Sequence, residues 1–309
     1  MKSRDYTAWL LLIALFLIWG SSFILIKKGL IVYSSSELGA LRIIITFFCL
    51  LPLALRRLSK VTSRQWGILG ISGILGSGIP AFLFAYAETG LESSVTGILN
   101  SLTPLFTLII GLSLFGTHTR WFNVAGVILG LAGAIGLLTV SGGGNFTFNM
   151  GFGIYVIVAT IFYALNANII KRYLHDLDAL TIASVSFLIM GIPAIIYLVG
   201  FTRFTHHSVS DPGVISGMCY IAILAVFGTA LAQVIYNRLI KLTSAVFASS
   251  VTYVIPVVAI LWGLADGEPF KLVYMLWINL IMAGILLVNT RTLNLRPIWA
   301  RVFQKNRNI

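Results

Sequence analysis

Polar residues interrupt this chain at intervals of about twenty, and continuous apolar sequence fills the space between. Ten apolar stretches stand out, at about 8–26, 38–55, 66–87, 93–115, 121–140, 150–170, 179–201, 213–237, 242–265 and 272–290. Each approaches the roughly 20 residues that a helix needs to cross a hydrocarbon core of about 30 Å. The runs are apolar at successive positions instead of alternating, which predicts helices and not the strands of a barrel. Helices also satisfy their backbone polar groups within the segment, as lipid requires. The first run, Ala8 to Ile26, ends at Lys27-Lys28 without an Ala-x-Ala cleavage site, so it reads as a retained span and not a removed leader.

The expected fold class is therefore all-α integral membrane, with ten transmembrane helices and no soluble domain. The Gly-rich stretch Ser141-Gly142-Gly143-Gly144 before Asn149 divides the chain into 8–140 and 150–290, followed by a basic tail at 291–309. The halves echo one another. Trp19-Gly20-Ser21-Ser22 through Lys27-Lys28 has a counterpart 144 positions on, in Tyr163-Ala164-Leu165-Asn166 through Lys171-Arg172. Ser93-Ser94 through Asn100 to Pro104 is echoed in Ser244-Ala245 through Pro256, where the prolines stand 152 apart. Five spans per half is an odd number, so the second five-helix repeat must lie inverted relative to the first. Inverted repeats with a site near the bilayer midplane are the architecture of secondary transporters.

Composition agrees with a lipid environment. Hydrophobic residues make up 58% and charged residues 10% of the 309 positions, with a mean hydropathy of +0.98. The net charge of +12 would suggest nucleic acid in a soluble protein, but here the cations sit in loops. Lys2, Arg4, Arg56, Arg57, Lys60, Arg64, Arg120, Lys171, Arg172, Arg238 and Lys241, with Arg291, Arg296, Arg301, Lys305 and Arg307 of the tail, fall on the side of the N-terminus. Only Lys27, Lys28, Arg203 and Lys271 fall on the other. The positive-inside rule then puts both termini in the cytoplasm of a multi-pass protein of the bacterial inner (plasma) membrane. Cys49 and Cys219 lie within apolar runs and form no CxxC pair, and His118, His175, His206 and His207 lie in loops. Metal, cofactor and redox chemistry have no footing in this pattern.

Trp19-Gly20-Ser21-Ser22-Phe23 with Lys27, and Ser244-Ala245 with Pro256 and Gly267-Glu268, resemble the opening and closing motifs of EamA-type members of the drug/metabolite transporter superfamily. The resemblance spans about 8–290 as two EamA units. It implies ten helices, a central cavity between the units and alternating access for amino acids, other metabolites, sugars or toxic compounds. The halves differ at two motif positions: Gly116 stands where the second has Glu268, and Ser186 stands near the counterpart of Arg42.

Arg42 is the one cation inside a span. Its fixed bidentate guanidinium is suited to a substrate carboxylate or phosphate; the alternatives are snorkelling to the interface or pairing with Glu37. Trp19, Ser22, Tyr86, Asn100, Tyr163, Asn166, Gln233, Tyr236 and Tyr253 complete the candidate cavity set. Asn168 is two positions from Asn166, about 200° around a helix, so the two cannot both face one cavity well. Pro104 and Pro256 are candidate hinges, since each removes a backbone donor mid-span. The Gly126, Gly130, Gly133 and Gly70, Gly73, Gly76 series read as helix-packing surfaces.

No carboxylate falls deep in a predicted span; Glu37 and Glu88 lie nearest, at span ends. That argues against carboxylate-driven proton antiport and against organic cations. The expectation is a non-enzymatic exporter of small metabolites such as amino acids, working by facilitated diffusion or exchange. Its partners are a small-molecule substrate and the lipid bilayer, with no nucleic acid and no oligomer required. Multidrug or organic-cation efflux and sugar or nucleotide-type uptake are the alternatives on the same fold. A non-transporting membrane sensor and a lipid-modifying enzyme are the alternatives of another class.

Overall fold

The computed structural model describes residues 3–91, 93–117, 119–141, 150–208, 211–255, 257–258 and 272–288. Within them the regular structure is helical throughout. The linker 142–149, the candidate hinge Pro256, the ninth apolar run beyond 258 and the tail 291–309 lie outside the described residues.

The first half holds α1 (Ser3–Gly20), α2 (Ser22–Gly29), α3 (Ser35–Leu55), α4 (Ser63–Gly73), a π-helical turn (Ile74–Gly78), α5 (Ile79–Ala87), α6 (Ser93–Asn100), α7 (Thr103–Leu114) and α8 (Trp121–Ser141). The second holds α9 (Met150–Tyr173), α10 (Ala179–Phe201), α11 (Pro212–Ile223), a longer π-helical segment (Leu224–Leu231), α12 (Ala232–Leu242), α13 (Ala245–Ser249), a 3₁₀ turn (Ser250–Tyr253) and α14 (Val273–Val288). Among the described residues six continuous rods are long and apolar enough to cross a membrane: Tyr6–Gly29, Ser35–Leu55, Ser63–Ala87, Gly151–Tyr173, Ala179–Phe201 and Pro212–Leu242. Thr103–Leu114, Trp121–Gly136 and Val273–Val288 are shorter apolar helices.

Local chemistry sets the ends of these rods. Ser34 and Glu37 form a reciprocal capping box at α3, with the Ser34 N–H donating to Glu37 Oε2 at 2.9 Å. Asp178 caps α10 through the Thr181 N–H at 2.9 Å, and Ser244 caps α13 through the Phe247 N–H at 3.1 Å. At the α1–α2 junction the Ser21 and Ser22 hydroxyls donate back to Leu17 O and Ile18 O, competing with the helical ladder where the chain bends. Gly116, at φ 59°, takes the chain out of α7 through a left-handed position that favours glycine.

The sequence predicts a kink at Pro104 in the middle of a span. The structure instead breaks that span at Ser101-Leu102, and Pro104 lies at the start of α7. There its missing N–H costs no helical bond.

Lipid offers no hydrophobic force between helices, so close packing and interhelical hydrogen bonds hold them together. The pairing of α8 with α14 uses both. A Cβ on Gly126 would meet Gly284 O at 2.7 Å, so the two backbones touch, and Asn123 Nδ2 donates to Val288 O at 2.9 Å. Thr46 on α3 donates to Ala225 O at 3.0 Å, and Ser186 on α10 donates to Leu69 O at 3.1 Å. Large apolar side chains cover the outer surface, for example Leu10 at 66%, Ile196 at 61% and Leu276 at 62% exposure. That much apolar surface belongs in a bilayer.

A central cavity as the candidate functional site

Both π-helical segments face the middle of the bundle. Widening a helix by one residue per turn misaligns its ladder and frees carbonyls, which is why such segments gather at functional sites. In the second, Gly228 O accepts the Trp19 indole N–H at 3.1 Å from α1. In the first, Gly76 lies against Asn166 of α9, whose Oδ1 accepts from Ser72 Oγ at 2.6 Å. Between them is a cavity with about 80 Å³ open to the centre of a water molecule. A water needs about 10–15 Å³ on that measure, so the void matches about five to eight waters, or one small organic solute.

The structure brings Trp19, Ser22, Arg42, Asn100, Tyr163, Asn166, Gln233 and Tyr236 to this cavity wall. It does not bring Tyr86 or Tyr253. Tyr86 is exposed on the outer surface, its ring 4.7 Å from Tyr155 and 5.5 Å from Phe152. Tyr253 is fully buried, and its hydroxyl donates to Val127 O at 2.9 Å, fastening the 3₁₀ turn to α8. Asn168, as its angle demands, turns away to donate to Thr107 O at 3.0 Å.

Arg42 neither snorkels nor pairs with Glu37. Its Nε donates to Thr229 Oγ1 at 2.6 Å, and among the described residues its remaining N–H groups have no protein acceptor. Glu37 is occupied with the α3 cap and with His207, 3.4 Å away. Aromatic rings share the wall with Arg42. Trp19 packs on Tyr236 at 5.2 Å, and Phe84 stacks on Tyr163 at 5.7 Å. One fork of donors beside aromatic faces can hold a carboxylate at one end and an apolar side chain at the other.

The lining residues pair across the two halves. Trp19/Tyr163 and Ser22/Asn166 stand 144 positions apart; Gly76/Gly228, Ser77/Thr229, Phe84/Tyr236, Asn100/Thr252 and Thr103/Ile255 stand 152 apart. These are the two offsets already visible in the sequence. Thr229, Phe84, Gly76 and Thr252 were missed there, although helical spacing reaches some of them. Thr229, Gln233 and Tyr236 fall at i, i+4 and i+7, one face of a helix.

The two ends of the cavity differ. Toward the basic end Leu108, Ala167, Ile170, Leu174, Leu239 and Ile240 belong to one buried apolar cluster. Beyond it two lysines cross over: Lys171 Nζ donates to Ile240 O at 2.9 Å and Thr243 O at 2.5 Å, and Lys241 Nζ donates to His175 O at 2.7 Å and to Leu177 O. Arg57 and Lys60 both stand 3.8 Å from Asp178 in the same layer. Burial opposes the Asp178 charge, but the Thr181 N–H and hydroxyl with Arg57 and Lys60 outweigh it, holding the carboxyl below its ordinary range.

At the opposite end is Glu88, one helical turn beyond the cavity-lining Phe84 and one residue past the span Ser63–Ala87. Both its carboxylate oxygens are shut off from solvent and have no hydrogen-bond partner among the described residues. Burial pushes its carboxyl up to about 8 against the opposing fields of Arg42 and Lys27. The sequence places Glu88 at a span end, and the structure has it there, but with its carboxylate oxygens enclosed.

Comparison with known proteins agrees with this geometry. The chain is 28% identical over 280 residues to "Uncharacterized inner membrane transporter YedA" of Escherichia coli strain K12, covering 90% of this chain and 89% of that one. It is 22% identical over 289 residues to "Probable terminal-alkyne amino-acid exporter" of Streptantibioticus cattleyicolor, covering 90% and 92%. A solved crystal structure at 17% identity overlays with a TM-score of 0.71, covering 94% of this chain and all of that one, which speaks for the fold alone. The model of the EamA-like transporter family matches residues 7–139 and 151–290. With a solute-sized cavity enclosed by apolar helices and a family match over nearly its whole length, the chain belongs to the EamA-like transporter family.

Proposed function

We propose that this membrane transporter exports small metabolites carrying a carboxylate, amino acids first among them, by alternating access. Its ten spans are read as two inverted five-helix repeats, 8–140 and 150–290, with the solute held between them. The termini and the basic end are assigned to the cytoplasm, following the loop charge. The observation that carries the reading is the paired lining: seven pairs at two fixed offsets contribute both members to one cavity. Two halves that build one site in common can exchange conformations, which opens the same site to either side. Arg42 takes the carboxylate, and Trp19, Tyr163 and Tyr236 take the side chain. The name of the Streptantibioticus relative supports the amino-acid class.

Counterflow in proteoliposomes, over a panel of amino acids, sugars, nucleosides and organic cations, tests this. Uptake of labelled amino acid driven by the same unlabelled solute inside is expected. Exchange of permanent cations alone would overturn the substrate class, and exchange of no solute by folded protein would overturn the transport reading.

A further inference from the structure

Glu88 plays no part in holding the solute as described above, yet it sits where a charge is hard to keep. Its two oxygens are enclosed without a donor among the described residues. Arg42 on α3 and Lys27 on α2 act on it electrostatically, but neither comes within ion-pair distance, and the Arg42 Nε is engaged by Thr229. From α9 the titratable groups facing this corner are Tyr163, which also feels Arg42, and Tyr155, whose ring packs on Tyr86. A carboxylate kept for structure finds partners when buried; one left without them favours its neutral form.

We propose that Glu88 is a proton-binding site of this protein, and that the end of the cavity opposite the basic loops closes over the protonated carboxyl and opens as it ionises. The proton comes from the aqueous phase at that end, binds one carboxylate oxygen on closure, and returns to water when opening hydrates the group. Freed of its proton, the carboxylate gains water and the field of Arg42, which draws it away from the apolar cluster that Phe84, Ala87 and Leu91 form beside it in sequence. The link to a transport cycle rests on the reading proposed above; proton binding itself does not.

The first test needs no solute. Infrared difference spectra of the purified full-length protein, taken between about pH 6 and about pH 9, report the carbonyl stretch of protonated carboxyls. A band that survives at neutral pH, is lost in Glu88→Gln and is retained but shifted in Glu88→Asp is expected. No such band, or one unchanged by Glu88→Gln in correctly folded protein, overturns the assignment. The second test places Leu91→Cys in a Cys49→Ala/Cys219→Ala background and measures labelling by a membrane-impermeant thiol reagent. The ratio of rates with Glu88 to rates with Glu88→Gln should rise with pH by up to about tenfold per unit; a flat ratio overturns the gating link. Counterflow that fails while the infrared band behaves as expected would remove the transport reading and leave the proton site standing.

Discussion

Gly76→Ala should disturb the site far more than its counterpart Gly228→Ala, because the two glycines face neighbours of unequal freedom. A Cβ on Gly76 would lie 2.1 Å from Asn166 Nδ2 and 2.8 Å from its Cγ, inside any real contact. The amide cannot simply swing away, since Ser72 Oγ holds its Oδ1 at 2.6 Å. Overpacking costs about 1–3 kcal/mol, and the lost hydrogen bond adds about 0.5–1.5 kcal/mol. A Cβ on Gly228 would lie 2.8 Å from Ser22 Oγ and 3.0 Å from Leu224 Cδ1. The serine hydroxyl donates to Ile18 O, a back-bond within its own helix that slightly destabilises that helix, and it can turn to another rotamer at a cost of about 1 kcal/mol or less. Reversible detergent-denaturation titrations followed by tryptophan fluorescence would measure both variants. A destabilisation by Gly76→Ala of about 1.5–4 kcal/mol is expected, against about 1 kcal/mol or less for Gly228→Ala. Equal costs, or a larger one for Gly228→Ala, would refute the account of the Asn166 anchor.

Other outcomes follow from the same geometry. Arg42→Gln should weaken a carboxylate-bearing solute about 10- to 100-fold in counterflow half-saturation while leaving an amide analogue unchanged; Arg42→Lys, which keeps the charge but not the fork, should fall between. Tyr86→Phe should leave counterflow at its full rate, because that ring packs outside the cavity. The Asp178 carboxyl is depressed in the folded state, so its contribution is present above the unfolded value of about 3.9 and lost as pH falls through the folded one. Melting curves of Asp178→Asn should accordingly lose less stability in that acid window than the parent; the difference stays below about 1 kcal/mol because the pair is half exposed.

What the sequence could and could not reveal follows from what each feature leaves in the residue pattern. Long apolar runs are legible as helices because lipid demands them, and Trp19, Asn166 and Gln233 are legible because a polar or amphipathic group inside such a run needs a partner. The π-helical segments are not legible: Ile74–Gly78 and Leu224–Leu231 sit inside unbroken apolar sequence, and an extra residue per turn leaves no compositional mark. Proline marks a disturbance without fixing on which side of it the helix stops, so the sequence predicts a kink at Pro104 where the structure has a break at Ser101-Leu102. Tyr86 lies outside the cavity because of its phase: it is two positions from Phe84, about 200° around the helix. The same phase argument run forward from Phe84 reaches Glu88 at i+4. A position at a span end says nothing by itself about enclosure, and the Glu88 carboxylate is enclosed because its helix face is the one turned inward.

Access to the cavity from both sides is the measurement that bears most directly on the central claim. Gln233→Cys, at the cavity wall, in a Cys49→Ala/Cys219→Ala background, would be exposed to a membrane-impermeant thiol reagent from each face of oriented vesicles. Alternating access predicts labelling from either face, slowed from both by the solute that counterflow identifies. Labelling from one face only, whatever solute is added, would make the cavity a receptor pocket and contradict transport through it.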